Sequence, residues 1–377
     1  MSDSTYDVVI VGAGIVGSAC AMECAERNLR VAVIEQDVVG GGATAAGMGH
    51  IVVMDDSEAQ FSLTRYSQKL WREMGAQLPD DVEYVECGTI WVAADDEEMA
   101  AVHDKFSYYR RRHVPVELLT RAELERLEPN LRQGLQGGLL VPQDGVLYPP
   151  CAARFFMERA ERRGAKVHLG KPVLRMGGGR IALSDGTEFS AATIVNAAGA
   201  LAQALTPGID VKKRKGHLVI TDRYPGFVRH QLVELGYLKS AHTVTSDSVA
   251  FNVQPRKTGQ VLIGSSRQYG AEHTEVDHAI LSRMLQRAGE YMPSLAEKSA
   301  IRVWTGFRAA TADKLPLIGP SVEDSTVYLA TGHEGLGITT SLATARLVAD
   351  QLIGSASAIP IEPYLPSRVG ALEHVHG

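Results

Sequence analysis

Residues 6–11 (YDVVIV) form an apolar, β-branched run closed by glycine, the pattern of a strand buried on both faces in a parallel sheet. Small and apolar residues recur at helical spacing over 15–28, and 30–35 (RVAVIE) is a second strand, so the pattern opens on a βαβ unit. Helical periodicity returns over 57–74, 96–113, 151–163 and 277–291. A short strand at 166–169 leads to a turn at 177–180 (GGGR) and a hairpin turning at Asp185-Gly186. Residues 211–266 are mostly β in pattern (HLVITD, VAFNVQP, QVLIGSS). The last elements are a strand at 326–330, a glycine loop and a helix over 338–353.

Composition narrows the class without naming a chemistry. The 377 residues are 45% hydrophobic and 22% charged, a globular profile long enough for two domains. A net charge of −6 disfavours nucleic acid as a partner. No run approaches the roughly 20 apolar residues of a membrane span, and the first apolar run has no basic region before it, so a cytoplasmic protein is expected. Cys20, Cys24, Cys87 and Cys151 form no CxxC pair, which argues against an iron–sulfur or zinc site within the chain.

Chemistry enters at the first strand–helix junction. Gly12, Gly14 and Gly17 make G-x-G-x-x-G there. The first glycine permits the tight turn, the second lets a pyrophosphate reach the backbone, and the third lets helix and strand pack closely. Glu35 ends the second strand, about 20 residues on, where an acid receives ribose hydroxyls and disfavours a 2′-phosphate. The expectation is a Rossmann-like dinucleotide site for FAD or NAD. Two small-residue stretches bear on the choice: five glycines between Gly40 and Gly49, and Ala197-Ala198-Gly199 after the apolar run at 193–196. The first reads as backbone laid against a flat ligand or as a flexible loop, the second as a site edge or a plain turn.

The N-terminal βαβ with Glu35, GGATAAGMGHI, VNAAGA, GFRAATADKLPLIG and TGHEGLGIT stand in an order that resembles the glycine oxidase / D-amino-acid oxidase family of FAD-dependent oxidoreductases, over nearly the whole chain. The resemblance implies non-covalent FAD, its ADP half on Gly12, Gly14, Ile15, Val16, Gly17, Glu35 and Gln36. It implies that Thr44, Ala45, Ala46, Gly47 and Met48 meet the pyrophosphate and ring, that the Val173 backbone contacts adenine, and that Ala197, Ala198 and Gly199 join the cofactor site. Gly335, Leu336, Gly337, Ile338 and Thr339 match the family loop whose amides face the flavin, where a helix N-terminus stabilises negative charge. His333 in that loop is catalytic or is placed by backbone needs, and Glu334 stands where a small residue is common. The implied fold class is α/β plus β: an FAD-binding domain (1–80, 145–210, 305–377) interleaved with a substrate domain (81–144, 211–304) on a mixed, largely antiparallel sheet with helices.

For the substrate, Arg308 matches the family arginine that holds a carboxylate as a bidentate pair, although Ala309 replaces the usual proline. Met48 and His50 are expected to face the ring and stand with Arg308 as catalytic candidates, while Arg302 reads as structural. Tyr237, His242, Asn252 and Tyr269 are candidate pocket residues, each with a plain surface or core role as its alternative. The implied reaction oxidises the C–N bond of a small D- or secondary amino acid by hydride transfer to flavin, giving an imino acid. The phrase MGHIVVMDDSEAQFSLTRYSQKLW resembles the FAD-bearing β subunit of heteromeric dehydrogenases, such as D-hydroxyproline dehydrogenase, whose partner subunits carry iron–sulfur and further flavin sites. Alternatives are a glycine/sarcosine-type oxidase that makes peroxide, and a flavin-containing electron-transfer subunit. A two-dinucleotide flavin reductase would need a second G-x-G-x-x-G, and GGGR at 177–180 has no helix after it.

Overall fold

The computed structural model describes residues 5–236 and 247–368; Tyr237 and His242 lie outside the described residues. The apolar N-terminal run becomes the strand Thr5–Val11, parallel to Val31–Ile34 on one side and Glu188–Asn196 on the other. Lys166–His168 and Val327–Thr331 extend this parallel sheet, and Leu317–Pro320 closes one edge antiparallel. Val9, Ile10 and Val33 are fully buried, as a strand covered on both faces requires. The turns at 177–180 and 185–186 join Val173–Gly177, Arg180–Leu183 and the strand Glu188–Asn196 into an antiparallel meander.

Small side chains let two helices sink into one face of this sheet. Ile15–Glu26 (IVGSACAMECAE) buries Ala19, Cys20, Ala21 and Cys24, and Gly337–Leu352 (GITTSLATARLVADQL) buries Ala343, Ala345 and Ala349 in the same core. The polar residues of the second helix solve their own burial: the Thr340 hydroxyl donates to the Leu336 carbonyl and the Ser341 hydroxyl to the Ile338 carbonyl. Trp71, on Glu58–Met74, packs beside them and donates its indole N–H to the Thr339 carbonyl at 3.1 Å.

A second sheet of nine strands holds the β-rich block. Its order runs from His333–Glu334 through Ala300–Ala310, Lys212–Thr221, Val261–Arg267, Ser248–Pro255, Gln231–Glu234, Thr89–Ala93 and Gly137–Val141 to Glu117–Thr120. Ala300–Ala310 pairs with Lys212–Thr221 almost end to end, so the domain break expected at 305 falls inside one strand. The burial pattern changes along that strand from exposed to buried while the pairing continues.

The two faces of this sheet have different neighbours. One carries Val219, Phe251, Val253 and Ile263 against the helix His278–Tyr291, with the Phe251 and Tyr291 rings stacked 4.5 Å apart at 5°. The alternate residues Trp304, Gly306, Leu218, Leu262, Gly264 and Gln254 meet the small-residue stretch after Gly40. Thus the glycine-rich run lies between the two sheets.

The segment after that run is pinned from behind. Lys105, on Asp96–Arg111, pairs with Asp55 and lies over the Trp91 ring at 4.4 Å, and the Tyr109 hydroxyl donates to the Val53 carbonyl at 2.9 Å. The lysine side chain is 3% exposed, so losing its partner would strand a charge out of water. Asp55→Ala is therefore expected to destabilise the protein by about 3 kcal/mol or more, as for breaking a buried pair. Chemical denaturation checks this, and a loss under about 1 kcal/mol would show that Lys105 is solvated or re-paired.

Candidate active site

The turn at Gly12–Gly17 is enforced by crowding. Gly12 has φ +104°, and a Cβ on it would stand 2.6 Å from the Ala197 carbonyl oxygen. A Cβ on Gly17 would collide with the Gly12 carbonyl oxygen. The strand end, the helix start and the Ala197–Gly199 turn consequently touch through backbone alone, with the Ala197 N–H donating to the Val11 carbonyl at 2.9 Å. Glu35 is fixed beside them: one carboxylate oxygen accepts from the Ala13 N–H at 2.6 Å and the other from the Asp37 N–H at 2.9 Å. Gln36 follows Glu35 in an exposed bend, and Val173 starts its strand against the core of Val9, Val11 and Ile34 on the same side. Lys171 N–H donates to the Glu35 carbonyl at 2.9 Å, which holds the segment before Val173 close to the acid.

Two helix N-termini meet here. Ser57, Asp95, Thr120 and Asp277 cap the helices that follow them with their side chains. Gly14 and Leu336 do not, and neither following helix has an acid in its first turn. Apart from the Ile15 N–H, which the Thr44 hydroxyl takes, the first-turn N–H groups and the dipoles of Ile15–Glu26 and Gly337–Leu352 are thus left for an anion or an electron-rich ring. A Cβ on Gly337 would lie 4.0 Å from the Val16 methyl, so the two termini are neighbours. Thr44 reaches the first of them and accepts from the Ile15 N–H at 2.9 Å.

Thr44 sits in the short helix Gly42–Ala45, inside the stretch read as backbone against a flat ligand or as a flexible loop, and Ala45 is exposed beside it. Ala46 lies on Gly306, where any Cβ would strike its methyl. Gly47 faces Ile338, and a Cβ on it would stand 2.5 Å from that side chain. Met48 is buried with Leu218, Ile220 and Leu262, and its carbonyl accepts from the Gln254 amide at 2.5 Å. Met48 therefore packs the second sheet and offers no proton-transfer chemistry.

His50 donates from Nε2 to the Gly335 carbonyl at 3.2 Å, which makes Nδ1 an acceptor. That Nδ1 is enclosed, with no partner among the described residues. Burial pushes its pKa down to about 4, against the pull of the Gly335 carbonyl and with the help of the Arg308 charge. Thr339 supports the same corner, its hydroxyl donating to the His50 carbonyl at 2.8 Å. His333 turns inward instead, its Nε2 3.0 Å from the Thr344 hydroxyl, and burial pushes it down to about 3. It is a neutral, structural histidine.

Arg308 lies at this corner, with its Nε 3.5 Å from where a Gly335 Cβ would be. Its NH1 donates to the Ser266 carbonyl at 2.9 Å. Ser266 is held in turn, its hydroxyl accepting from the His217 N–H at 2.9 Å. Gly216 and Gly306 stand opposite each other in the register, beside the Arg214–Arg308 pair. They leave a bare stretch of sheet over which the guanidinium lies, so a Cβ on Gly216 would come within 2.5 Å of it. Arg302, by contrast, is exposed beside Trp304.

The sequence pattern gave no hint of the surroundings of Glu334. This residue has φ +52° and is one register position from Arg308, and it pairs with Arg214 at 2.7 Å. Arg267 approaches the same oxygen at 3.9 Å, and the Arg214 guanidinium lies over the Tyr269 ring at 4.6 Å. A basic residue opposite Arg308 in a paired strand was the available signal, but pairing is not visible in one sequence. Cys20 and Cys24 are buried in the first helix, and among the described residues no three His, Cys, Asp or Glu side chains gather as a metal would need.

A dinucleotide with a flat ring fits this arrangement. The glycine cradle and uncapped helix N-termini suit the phosphates, and Asn252 Oδ1, Gln254 Oε1, His50 Nδ1 and Trp304 Nε1 are buried polar atoms awaiting partners.

Two outcomes test the site. Gly17→Ala is expected to yield protein with little or no bound flavin, read from the ratio of flavin to protein absorbance; full occupancy would refute the backbone-contact account. For His50 and His333 the folded pKa lies below the ordinary 6.5, so between about pH 6.5 and 4 the unfolded chain binds more protons. Unfolding free energy should fall as pH drops through that window, and His333→Gln should shallow the slope in denaturant titrations.

A family model described as FAD dependent oxidoreductase (DAO) matches residues 7–351. Glycine oxidase of Geobacillus kaustophilus (strain HTA426) is 28% identical over 374 residues, covering 96% of this chain and 97% of the relative. The hydrogen cyanide synthase subunit HcnC of Pseudomonas aeruginosa is 27% identical, covering 97% of this chain and 96% of the relative. The crystal structure of glycine oxidase from Geobacillus kaustophilus superposes with a TM-score of 0.86 at 27% identity, covering 96% of this chain and 98% of that one. The chain belongs to the DAO family of FAD-dependent oxidoreductases.

Proposed function

We propose that the chain oxidises the C–N bond of a small D- or secondary amino acid, with a D-proline-type ring, hydroxylated or plain, as the best substrate. The observation that carries this is Arg308, lying on the bare stretch at Gly216 and Gly306 and facing the His50–Gly335 corner. A guanidinium fixed there orients a carboxylate as well as attracting it. Its NH1 bond to the Ser266 carbonyl, with Ser266 tied to His217, fixes the fork before substrate arrives. His50 stays neutral, so it neither competes for the carboxylate nor repels an amine. FAD supplies the two-electron acceptor when bound, and Gly12, Gly14, Ile15, Val16, Gly17 and Glu35 hold its ADP half. Gln36 and Val173 flank the adenosine end, and Ala197, Ala198 and Gly199 border the phosphates. Thr44 to Met48 and Gly335 to Thr339 would hold the ring, without a covalent bond. The uncapped N-terminus of Gly337–Leu352 favours negative charge at the ring edge.

The electrons leave, on this reading, for a partner subunit. The subunit HcnC is similar over almost its whole length, which supports that choice; the glycine oxidases of comparable identity support the peroxide-forming alternative.

Anaerobic mixing with D-proline, hydroxy-D-proline, sarcosine and glycine should bleach the flavin with at least one of them. Arg308→Met should lower kcat/KM about 100-fold or more, the loss of roughly 3 kcal/mol expected when a carboxylate's charged partner is removed. An unchanged rate would overturn the anchor. The lone chain should reduce an artificial dye and make little peroxide; stoichiometric peroxide would favour the oxidase.

A further inference from the structure

The strand His50–Ile51, which carries His50 to Gly335, is too short to hold itself. It pairs with Gly145–Val146 at two positions, His50 with Val146 and Ile51 with Gly145. Beyond that ladder a side chain takes over from strand carbonyls: the Val53 N–H donates to Asp144 Oδ1 at 3.2 Å. The same oxygen accepts from Gln68 Nε2 at 2.7 Å, and the Asp144 carbonyl accepts from the Gly88 N–H at 2.9 Å. One fully buried residue thereby joins the end of the glycine-rich run, the helix Glu58–Met74 and the approach to the strand Thr89–Ala93.

The cations around Asp144 are engaged elsewhere. Lys105 pairs with Asp55, and Arg65 donates to the side-chain oxygens of Gln68 and Gln143 and to the His113 carbonyl. The other titratable groups that face it, Tyr84, Cys87 and Tyr109, are held neutral by burial. Asp144 Oδ2 has no hydrogen-bond partner among the described residues, and neither has the Thr89 hydroxyl, whose side chain bears on the same carboxyl. A proton on Oδ2 donated to Thr89 satisfies both atoms and takes an unpaired charge out of the interior. A Thr89 hydroxyl donating to a carboxylate would satisfy the same atoms but leave the charge, which is the larger cost. Burial accordingly pushes Asp144 up to about 7, against the pull of Thr89, the Val53 N–H, Lys105 and Arg65.

We infer that Asp144 works as a neutral acid and is the positioning residue of the glycine-rich run behind His50, which loosens when Asp144 ionises. This is independent of Arg308 and rests on the flavin ring being held by Thr44 to Met48 of the same run. By linkage, a proton that favours the seated run favours FAD, and FAD favours the proton equally. For stability the folded value lies above the ordinary 3.8, so between about pH 4 and 7 the folded chain holds the extra proton. Asp144 therefore lowers stability as pH rises through that window, one proton acting against the two of His50 and His333.

The test compares the FAD-loaded protein with Asp144→Asn and Asp144→Leu. The amide keeps the acceptor toward Val53 and sets a permanent N–H donor toward Thr89; leucine has neither. The flavin dissociation constant, read from free-flavin fluorescence on dilution, should rise in the parent about 5-fold or more between about pH 6 and 8.5. Asp144→Asn should bind as tightly as the parent does at the lower pH and keep that affinity at the higher one, while Asp144→Leu should bind weakly at both. In denaturant titrations Asp144→Asn should lose stability more steeply than the parent as pH drops from about 6.5 to 4, because the opposing proton is gone. The parent's infrared spectrum at about pH 6 should carry a protonated-carboxyl band that Asp144→Asn lacks. Absence of that band, or an Asp144→Asn protein as weak as Asp144→Leu, overturns the neutral acid. A parent constant that stays flat with pH, or a rise that persists in Asp144→Asn, overturns the positioning role. The band and the Asn variant decide even where Asp144→Leu does not fold.

Discussion

A single methyl group separates the two layers that make the site. Ala46 rests on Gly306, where even a Cβ would strike its methyl. Because of that contact the glycine-rich run lies flat against the second sheet, and Met48 can settle among Leu218, Ile220 and Leu262. His50 is then carried to Gly335, and Gly335 to Arg308. Close packing makes this rigid: interiors do not yield by a methylene without moving backbone. The Asp55–Lys105 pair and the Tyr109 hydroxyl hold the far end of the same run, so it is fixed at both ends.

Electrostatics divides the site into two halves by different means. Toward the dinucleotide, positive potential comes from backbone: two helix N-termini whose N-cap residues make no side-chain bond and whose first turns hold no acid. At the Arg308 corner it comes from guanidiniums on paired strands, with Glu334 as the counter-charge. Neutral histidines sit between them. Burial keeps His50 and His333 uncharged at neutral pH, so neither adds a positive charge that would blur the two halves.

Most elements were legible because their signals are local. The parallel strands announced themselves as apolar β-branched runs, and the helices Ile15–Glu26, Glu58–Met74, Asp96–Arg111 and His278–Tyr291 by periodicity. The Asp185-Gly186 turn was visible from its residues alone. The border at 305 was not, since this strand passes from exposed through half-buried to buried positions without ending. Glu334 could be seen to be unusual, yet its partner Arg214 is 120 residues away.

By itself the sequence determined the backbone-driven part of this protein: the βαβ unit, the glycine cradle with Glu35, and through its ordered motifs the DAO family and FAD. Glycine spacing and strand–helix order fix such a site within one short segment, so one segment suffices to read it. Only the tertiary structure decided what surrounds Arg308. The pairing of Lys212–Thr221 with Ala300–Ala310 sets Arg214 against Arg308, and the short strand His333–Glu334 sets the acid beside them. His50 meets Gly335 across 285 residues. Those neighbours are chosen by register and by which face of the sheet is buried, and a one-residue slip would turn every one of them away.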